Sequence, residues 1–220
     1  VKVFIPYYPW DLGTARPGKP DDECLAETVS ALNADGIFLD TMVAASTALR
    51  AAVDHAKPGV VFAPEGHPSI AQLSLCNVSW AQWLQDPIPP GMLHLKWIEP
   101  RHMQQQIHRW DLSHREEMET AFFNGSGMLI WENVFGTYNP WSKEDRSLWR
   151  HAVAILRTYS DHFTSDQWDP FYPTLQEQLY AHRWPGKDVT VFTLRNAGKP
   201  IVDKPLLEIP KEGEKVWDVW

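Results

Sequence analysis

Apolar residues in the first three-quarters of the chain fall in short blocks, separated by longer stretches with helical spacing. VKVFIPYYP (residues 1–9) reads as a strand, followed by a Gly- and Pro-rich loop through Pro20. The helix predicted over 21–33 opens with Asp21 and Asp22, whose charges suit the positive end of a helix dipole. GIFLD (36–40) is the second strand, and the helix VAASTALRAAVDHA (43–56) is stopped by Pro58-Gly59. VVFAPEG (60–66) predicts a third strand, with a helix over 69–84 and a loop over 87–91. MLHLKWIEP (92–100) predicts a fourth strand, 101–123 a helix, 124–127 a turn and MLIWENVFG (128–136) a fifth strand. A last helix over 143–162 sets Leu148, Ala152, Ile155 and Tyr159 near helical spacing.

Five β-then-α units in succession imply a parallel sheet with right-handed crossovers. A doubly wound open sheet and a (β/α)8 barrel of the TIM type both accommodate them. No G-x-G-x-x-G or P-loop follows any strand, which argues against a nucleotide-binding doubly wound domain. The expected fold is therefore α/β: five units of a (β/α)8 barrel over residues 1–165, with about three N-terminal units absent from this polypeptide or supplied elsewhere. Beyond this the pattern changes. TSDQWDPFYPT is a Pro- and aromatic-rich connector, and residues 178–184, 189–196, 204–209 and 215–220 alternate like antiparallel strands. They predict a small β domain over 166–220.

Composition narrows the partners. The 220 residues are 44% hydrophobic, enough for an ordinary core, and the formal net charge of −8 comes without any Lys/Arg run. Both argue against a nucleic acid or an anionic membrane surface, and no apolar stretch reaches the ~20 residues of a spanning helix. Cys24 and Cys76 lack metal-ligand spacing and read as small buried apolar residues. Asn77-Val-Ser79 and Asn124-Gly-Ser126 fit the N-glycosylation pattern. Twelve Trp residues supply flat apolar faces with one N–H donor each, suited to stacking on sugar rings or to filling an aromatic core.

Acidic residues recur at strand ends: Asp40, Glu65, Glu99 and Glu132, with Asp11 beside Trp10 a little after the first strand. In a parallel barrel these ends share one mouth, where clustered like charges cost stability, so a purely structural origin explains them poorly. Each has a plainer alternative: Asp40 as a helix cap, Glu65 as a solvated loop residue, Glu99 as the ion-pair partner of Arg101. Glu132 could support a neighbour, and Asp11 could cap a turn. Adjacent strands lie ~4.8 Å apart, which suits the ~5–5.5 Å carboxyl separation of retaining glycosidases. Asp40 is the expected nucleophile and Glu65 the expected proton donor.

Among nine histidines, His102, His108 and His114 are spaced six apart rather than at the i, i+4 interval of a helical metal site. The sequence implies no metal and no cofactor. His67 and His94 are placed to line the mouth, and Lys96-Trp97 with Arg101 would suit an acidic or sulfated sugar, or an ion pair to Glu99. No G-x-S-x-G elbow is present to support acyl transfer.

GIFLDTM, APEGHPS, LIWENVFGTYNPW and the tail VFTLRNAG…PLLEIP…KVWDVW together resemble the C-terminal part of bacterial glycosidase-like (β/α)8-barrel proteins, over nearly the whole chain. The resemblance implies strand-end carboxylates that do the chemistry, a Trp that floors the sugar site and a β-sandwich after the barrel. Residue by residue it points to Asp40 and Glu65 as the catalytic pair and to Trp131 as part of the sugar platform. Trp10, Asp11, His67, Lys96, Trp97, Glu99 and Glu132 complete the expected substrate-binding set. The expected function is a retaining glycoside hydrolase acting on an oligo- or polysaccharide, in a secreted or periplasmic setting rather than the cytoplasm. The alternative is a non-catalytic carbohydrate-binding or scaffold protein on the same fold.

Overall fold

Three of the predicted strands form and pair side by side. In the computed structural model, which describes residues 2–10, 18–81, 88–107, 113–131, 133–134, 136–138, 140–209 and 215–220, β1 (Phe4–Tyr7), β2 (Gly36–Leu39) and β3 (Val61–Pro64) make a parallel sheet in the order β1-β2-β3. The register pairs Phe4 with Gly36 and Gly36 with Val61, and ends at Tyr7, Leu39 and Pro64. Crossovers through α1 (Asp21–Leu32) and α2 (Thr47–Ala56) connect the strands. Each helix is delimited by local chemistry. Asp21, Asp22 and Glu23 occupy the first turn of α1, and Asn33 closes it in the left-handed conformation. Ser46 caps α2 by accepting the Leu49 amide at 3.0 Å. Val29, Leu49 and Val53 from the helices meet Ile37, Leu39 and Phe62 from the strands, and Val60 just before β3, in one core. Burial of each large side chain there contributes ~1.5–3 kcal/mol. A 3-10 turn (Ile70–Leu75) and β4 (Val78–Trp80), paired with β5 (Met103–Gln105), follow.

The chain divides into two compact units, Val1–Gln82 with His102–Gln104, and Trp83–Arg101 with Gln105–Trp220. The division falls within the 1–165 segment, and residues 166–220 share the second unit with the helices before them.

In that second unit, α3 (His94–Ile98) and α4 (Arg115–Phe123) precede a minimal hairpin of β6 (Asn133–Val134) and β7 (Thr137–Tyr138). α5 (Lys143–Thr158) begins with a reciprocal cap between Ser142 and Asp145 and packs Trp149 and Ala152 against Met118, Ala121 and Trp141. After α6 (Ser160–Phe163), the antiparallel pair β8 (Leu179–Trp184) and β9 (Val191–Asn196) buries Trp184 and Val191 against Phe163. The Trp184 indole N–H donates to Thr193 Oγ1 at 3.1 Å, and that hydroxyl donates to the Phe123 carbonyl at 2.7 Å. The buried polar groups are thus carried in series to an acceptor.

The expected (β/α)8 barrel does not form. Closure needs consecutive parallel strands, and the succession ends at β3. Residues 92–100, predicted as a strand, contain α3 instead. Within 128–136, an isolated parallel bridge between Gln106 and Met128 and the two residues of β6 are the only described ladder contacts. The described part of the predicted helix over 69–84 is a 3-10 turn followed by β4, and the one over 101–123 contains β5 before α4. Residues 204–209 and 215–220 carry no regular strand. The described residues thus hold one three-stranded sheet and three two-stranded ones.

Candidate functional site

β2 and β3 end side by side, and each delivers a carboxylate one residue later. Past the last registered pair, Leu39 with Pro64, the ladder runs on: the Asp40 amide donates to the Tyr7 carbonyl and the Glu65 amide to the Leu39 carbonyl, each at 3.0 Å. Asp40 and Glu65 therefore leave adjacent parallel strands at the same level, where backbones are ~4.8 Å apart. Both are half-buried.

The chain then turns sharply. Thr41 has φ of 58°, an outlier for a β-branched residue and a strain of ~1–3 kcal/mol. What holds it is Glu65, whose Oε2 accepts the Thr41 amide at 2.8 Å. A second lace joins the same loops, from the Gly66 amide to the Met42 carbonyl at 2.9 Å. A Cβ on Gly66 would stand 2.9 Å from Val43 Cγ1 and 3.1 Å from the Met42 carbonyl oxygen, so only glycine allows this approach. The hydrogen bond that holds this strained turn orients the Glu65 carboxylate before any ligand arrives.

The loop after β1 emerges from the same edge of the parallel sheet. It carries Trp10, 61% exposed, against Tyr8 with ring centroids 5.7 Å apart. His67, half-buried, follows Gly66 beyond β3. Asp11 and Glu132 lie outside the described residues.

The structure does not bring the remaining expected residues to strand ends. Lys96 and Trp97 lie on α3 and Glu99 caps its C-terminus, all in the second unit. Glu99 is engaged by Arg101, whose Nε and Nη2 donate to its two oxygens at 2.7 and 2.9 Å. Lys96 is fully buried, with Nζ donating to the carbonyls of Pro100 and Phe163 at 2.7 Å each. Burial pushes its ammonium down to about 7, against the raising influence of Glu99. It is a structural donor with no surface from which to reach a sugar. Trp131 is half-buried in the second unit. Among the described residues, the strand-end acids that share one edge are thus Asp40 and Glu65.

Several polar clusters carry no strand-end signature. Ser79 Oγ lies 2.7 Å from His102 Nε2, and His102 Nδ1 lies 3.1 Å from the Cys76 carbonyl. A carbonyl only accepts, so Nδ1 holds the proton and Nε2 takes the Ser79 hydroxyl hydrogen. Both side chains are buried, so the pair ties β4 to the segment leading into β5. In the second unit, His114 Nδ1 lies 2.5 Å from Glu117 Oε1, and the ring stacks on Trp141. His182, also buried, accepts the Phe171 amide on Nδ1 at 3.1 Å, and burial and then Lys96 push it down to about 3. No group of three or more His, Cys, Asp or Glu among the described residues is placed to hold a metal ion. No helix among them is long and apolar enough to cross a membrane.

Two open depressions, of about 530 and 330 Å³, lie between α1 and α2 and over α4, α5 and β9. Neither is lined by Asp40 or Glu65. The first mixes Ala26, Ala31, Ala52 and Ala56 with Glu23, Glu27, Ser30 and His55, but only the strand-end edge sets two carboxylates at one level beside a turn held in strain, and it is the stronger candidate. No protein-family model matches the chain, and no curated protein matches it.

Proposed function

We propose that this protein hydrolyses glycosidic bonds in an oligo- or polysaccharide through Asp40 and Glu65. The observation that carries the reading is their emergence at one level from adjacent parallel strands, locked by the Glu65–Thr41 hydrogen bond across a strained turn. Two carboxyls at about strand spacing suit the ~5–5.5 Å separation of a retaining mechanism. One attacks the anomeric carbon as the glycosidic C–O bond breaks, while the other passes its proton to the departing oxygen. In the second half the latter takes a proton from water, which displaces the enzyme carboxylate. Tyr8 and Trp10, past the end of β1, offer aromatic faces on the same edge. The resemblance of GIFLDTM and APEGHPS to bacterial glycosidase-like proteins supports the assignment, without the closed barrel.

One observation favours a second reading, a carbohydrate binder without hydrolysis. Glu65 Oε2 is already committed to the Thr41 amide, which would be its whole purpose in a merely structural turn. Release of reducing ends from a polysaccharide panel separates the two. Hydrolysis by the native chain, falling ~10²–10⁴-fold in Asp40→Asn and in Glu65→Gln, supports catalysis. Sugar binding without hydrolysis favours the second reading, and hydrolysis that survives both substitutions rejects the pair.

A further inference from the structure

We propose that Trp97 and Phe171 form a binding surface for a single neutral polysaccharide chain, built entirely from residues of the second unit. The choice of a sugar rests on the carbohydrate reading above; the surface itself rests on geometry. Trp97 is 43% exposed and Phe171 40% exposed, with ring centroids 5.3 Å apart. Large aromatic faces open to solvent yet held in fixed positions suit the C–H faces of pyranose rings.

Both rings are held from beneath. Phe171 has φ of 54°, a conformation that bulky residues rarely adopt. Its amide donates to Nδ1 of the buried His182. The segment leading into it is pinned twice. Asp169 exchanges backbone hydrogen bonds with Arg183 and pairs with its guanidinium at 2.8 Å, and Trp168 stacks on the buried Trp184 at 4.7 Å. Trp97 meets the edge of Trp168 at 6.2 Å. Its helix is anchored from the adjacent position by Lys96, which is bonded to the carbonyls of Pro100 and Phe163. Phe171 also meets the edge of Tyr180 and the buried His182 ring, so a strained backbone and these contacts fix the ring while 40% of the residue stays exposed.

The occupant follows from shape and charge. The planes of Trp97 and Phe171 differ by 46°, so both cannot lie flat on a crystalline face. A chain whose successive sugar rings are turned relative to one another can meet both. Two ion pairs follow closely along the chain, Glu99–Arg101 after Trp97 and Asp169–Arg183 before Phe171. Each is neutral overall and suited to hydroxyl groups. A formal net charge of −8 opposes a polyanion.

Native electrophoresis of the full chain in gels containing hydroxyethylcellulose, xylan or galactomannan, with a pull-down on microcrystalline cellulose, tests this. The native chain is expected to be retarded by a soluble polysaccharide and not retained on the crystalline one. Trp97→Ala should weaken retardation about ten-fold or more with an unchanged circular-dichroism spectrum, Trp97→Tyr should retain part of it, and Asp40→Asn should leave it intact. The same result in a chain without hydrolytic activity upholds the surface and rejects the hydrolase reading. No retardation in any gel, undiminished retardation of Trp97→Ala, or retention on the crystalline face overturns the inference. So does concentration-dependent self-association abolished by Trp97→Ala without sugar binding. Loss of retardation in Asp40→Asn alone returns the sugar to the strand ends and leaves hydrolysis standing.

Discussion

Replacing Lys96 by methionine removes a nitrogen from the interior of the second unit while nearly preserving its volume. In the native fold the group titrates near pH 7 instead of 10.5, chiefly because burial disfavours the charged form. A neutral amine has two N–H donors, and two carbonyls accept from Nζ, so the uncharged form is fully satisfied in place. The consequence for stability has a definite sign. Below pH 7 both folded and unfolded chains hold the proton, and the fold bears the whole cost of burying the charge. Between pH 7 and 10.5 only the unfolded chain keeps it, so stability rises with pH across that window and levels off above it. Each pH unit is worth up to ~1.4 kcal/mol, so the full span amounts to ~5 kcal/mol at most. Urea unfolding of the native chain and Lys96→Met at intervals from pH 6 to 10.5 measures this. The difference between them should climb in favour of the native chain, over and above a constant ~1–3 kcal/mol for each carbonyl left without its donor. Carbon NMR of the lysine Cε groups should show one titration near pH 7 that is missing from the variant. Parallel stability profiles, with every lysine titrating near 10.5, would refute the argument.

His182 works on the acid side. It protonates near pH 3 when folded but near 6.5 when unfolded, so stability should fall as pH drops from 6.5 to 3, and His182→Asn should flatten that limb in acid-unfolding curves. Thr41→Gly should leave the denaturation midpoint unchanged or raise stability by up to ~1 kcal/mol, because glycine adopts φ of 58° freely. Ala51→Gly, inside α2, should cost ~1 kcal/mol; equal losses at both sites would show that Thr41 is unstrained. A methyl group at Gly36 would overlap Phe4 ring carbons, so Gly36→Ala should cost ~1–3 kcal/mol. In a Phe4→Ala background that cost should vanish, and a cycle with no coupling would disprove the contact.

Legibility in the sequence tracked how far each segment's partners were local. β1, β2, β3 and the helices between them follow from apolar blocks, the acidic first turn of α1 and the Pro58-Gly59 stop after α2, all readable within a few residues, although α2 starts at Thr47 behind its Ser46 cap and not at residue 43. β8 and β9 were equally readable from alternation. MLHLKWIEP was misread because alternation sends Lys96 to solvent, whereas its amine reaches the carbonyl of Phe163, 67 residues away. Once that position can be buried, Leu93, Leu95 and Lys96 fit a short helix. The barrel failed with this segment, because a run of parallel strands extrapolates only while every member is a strand. At the site, Asp40 and Glu65 were visible as acids after apolar blocks. The strain at Thr41 was not, since nothing in GIFLDTM marks a threonine for the left-handed region.

Pro6 sits in β1 opposite Phe38, and Pro64 ends β3 opposite Leu39. These are the two outer strands of the parallel sheet, and each lacks an amide hydrogen at one rung. A sheet of three short strands with open margins is a template on which another molecule's backbone can add, the first step toward fibrous aggregates. A missing donor in each outer strand interrupts that template, so the sheet that carries the carboxylates is also guarded against self-propagation.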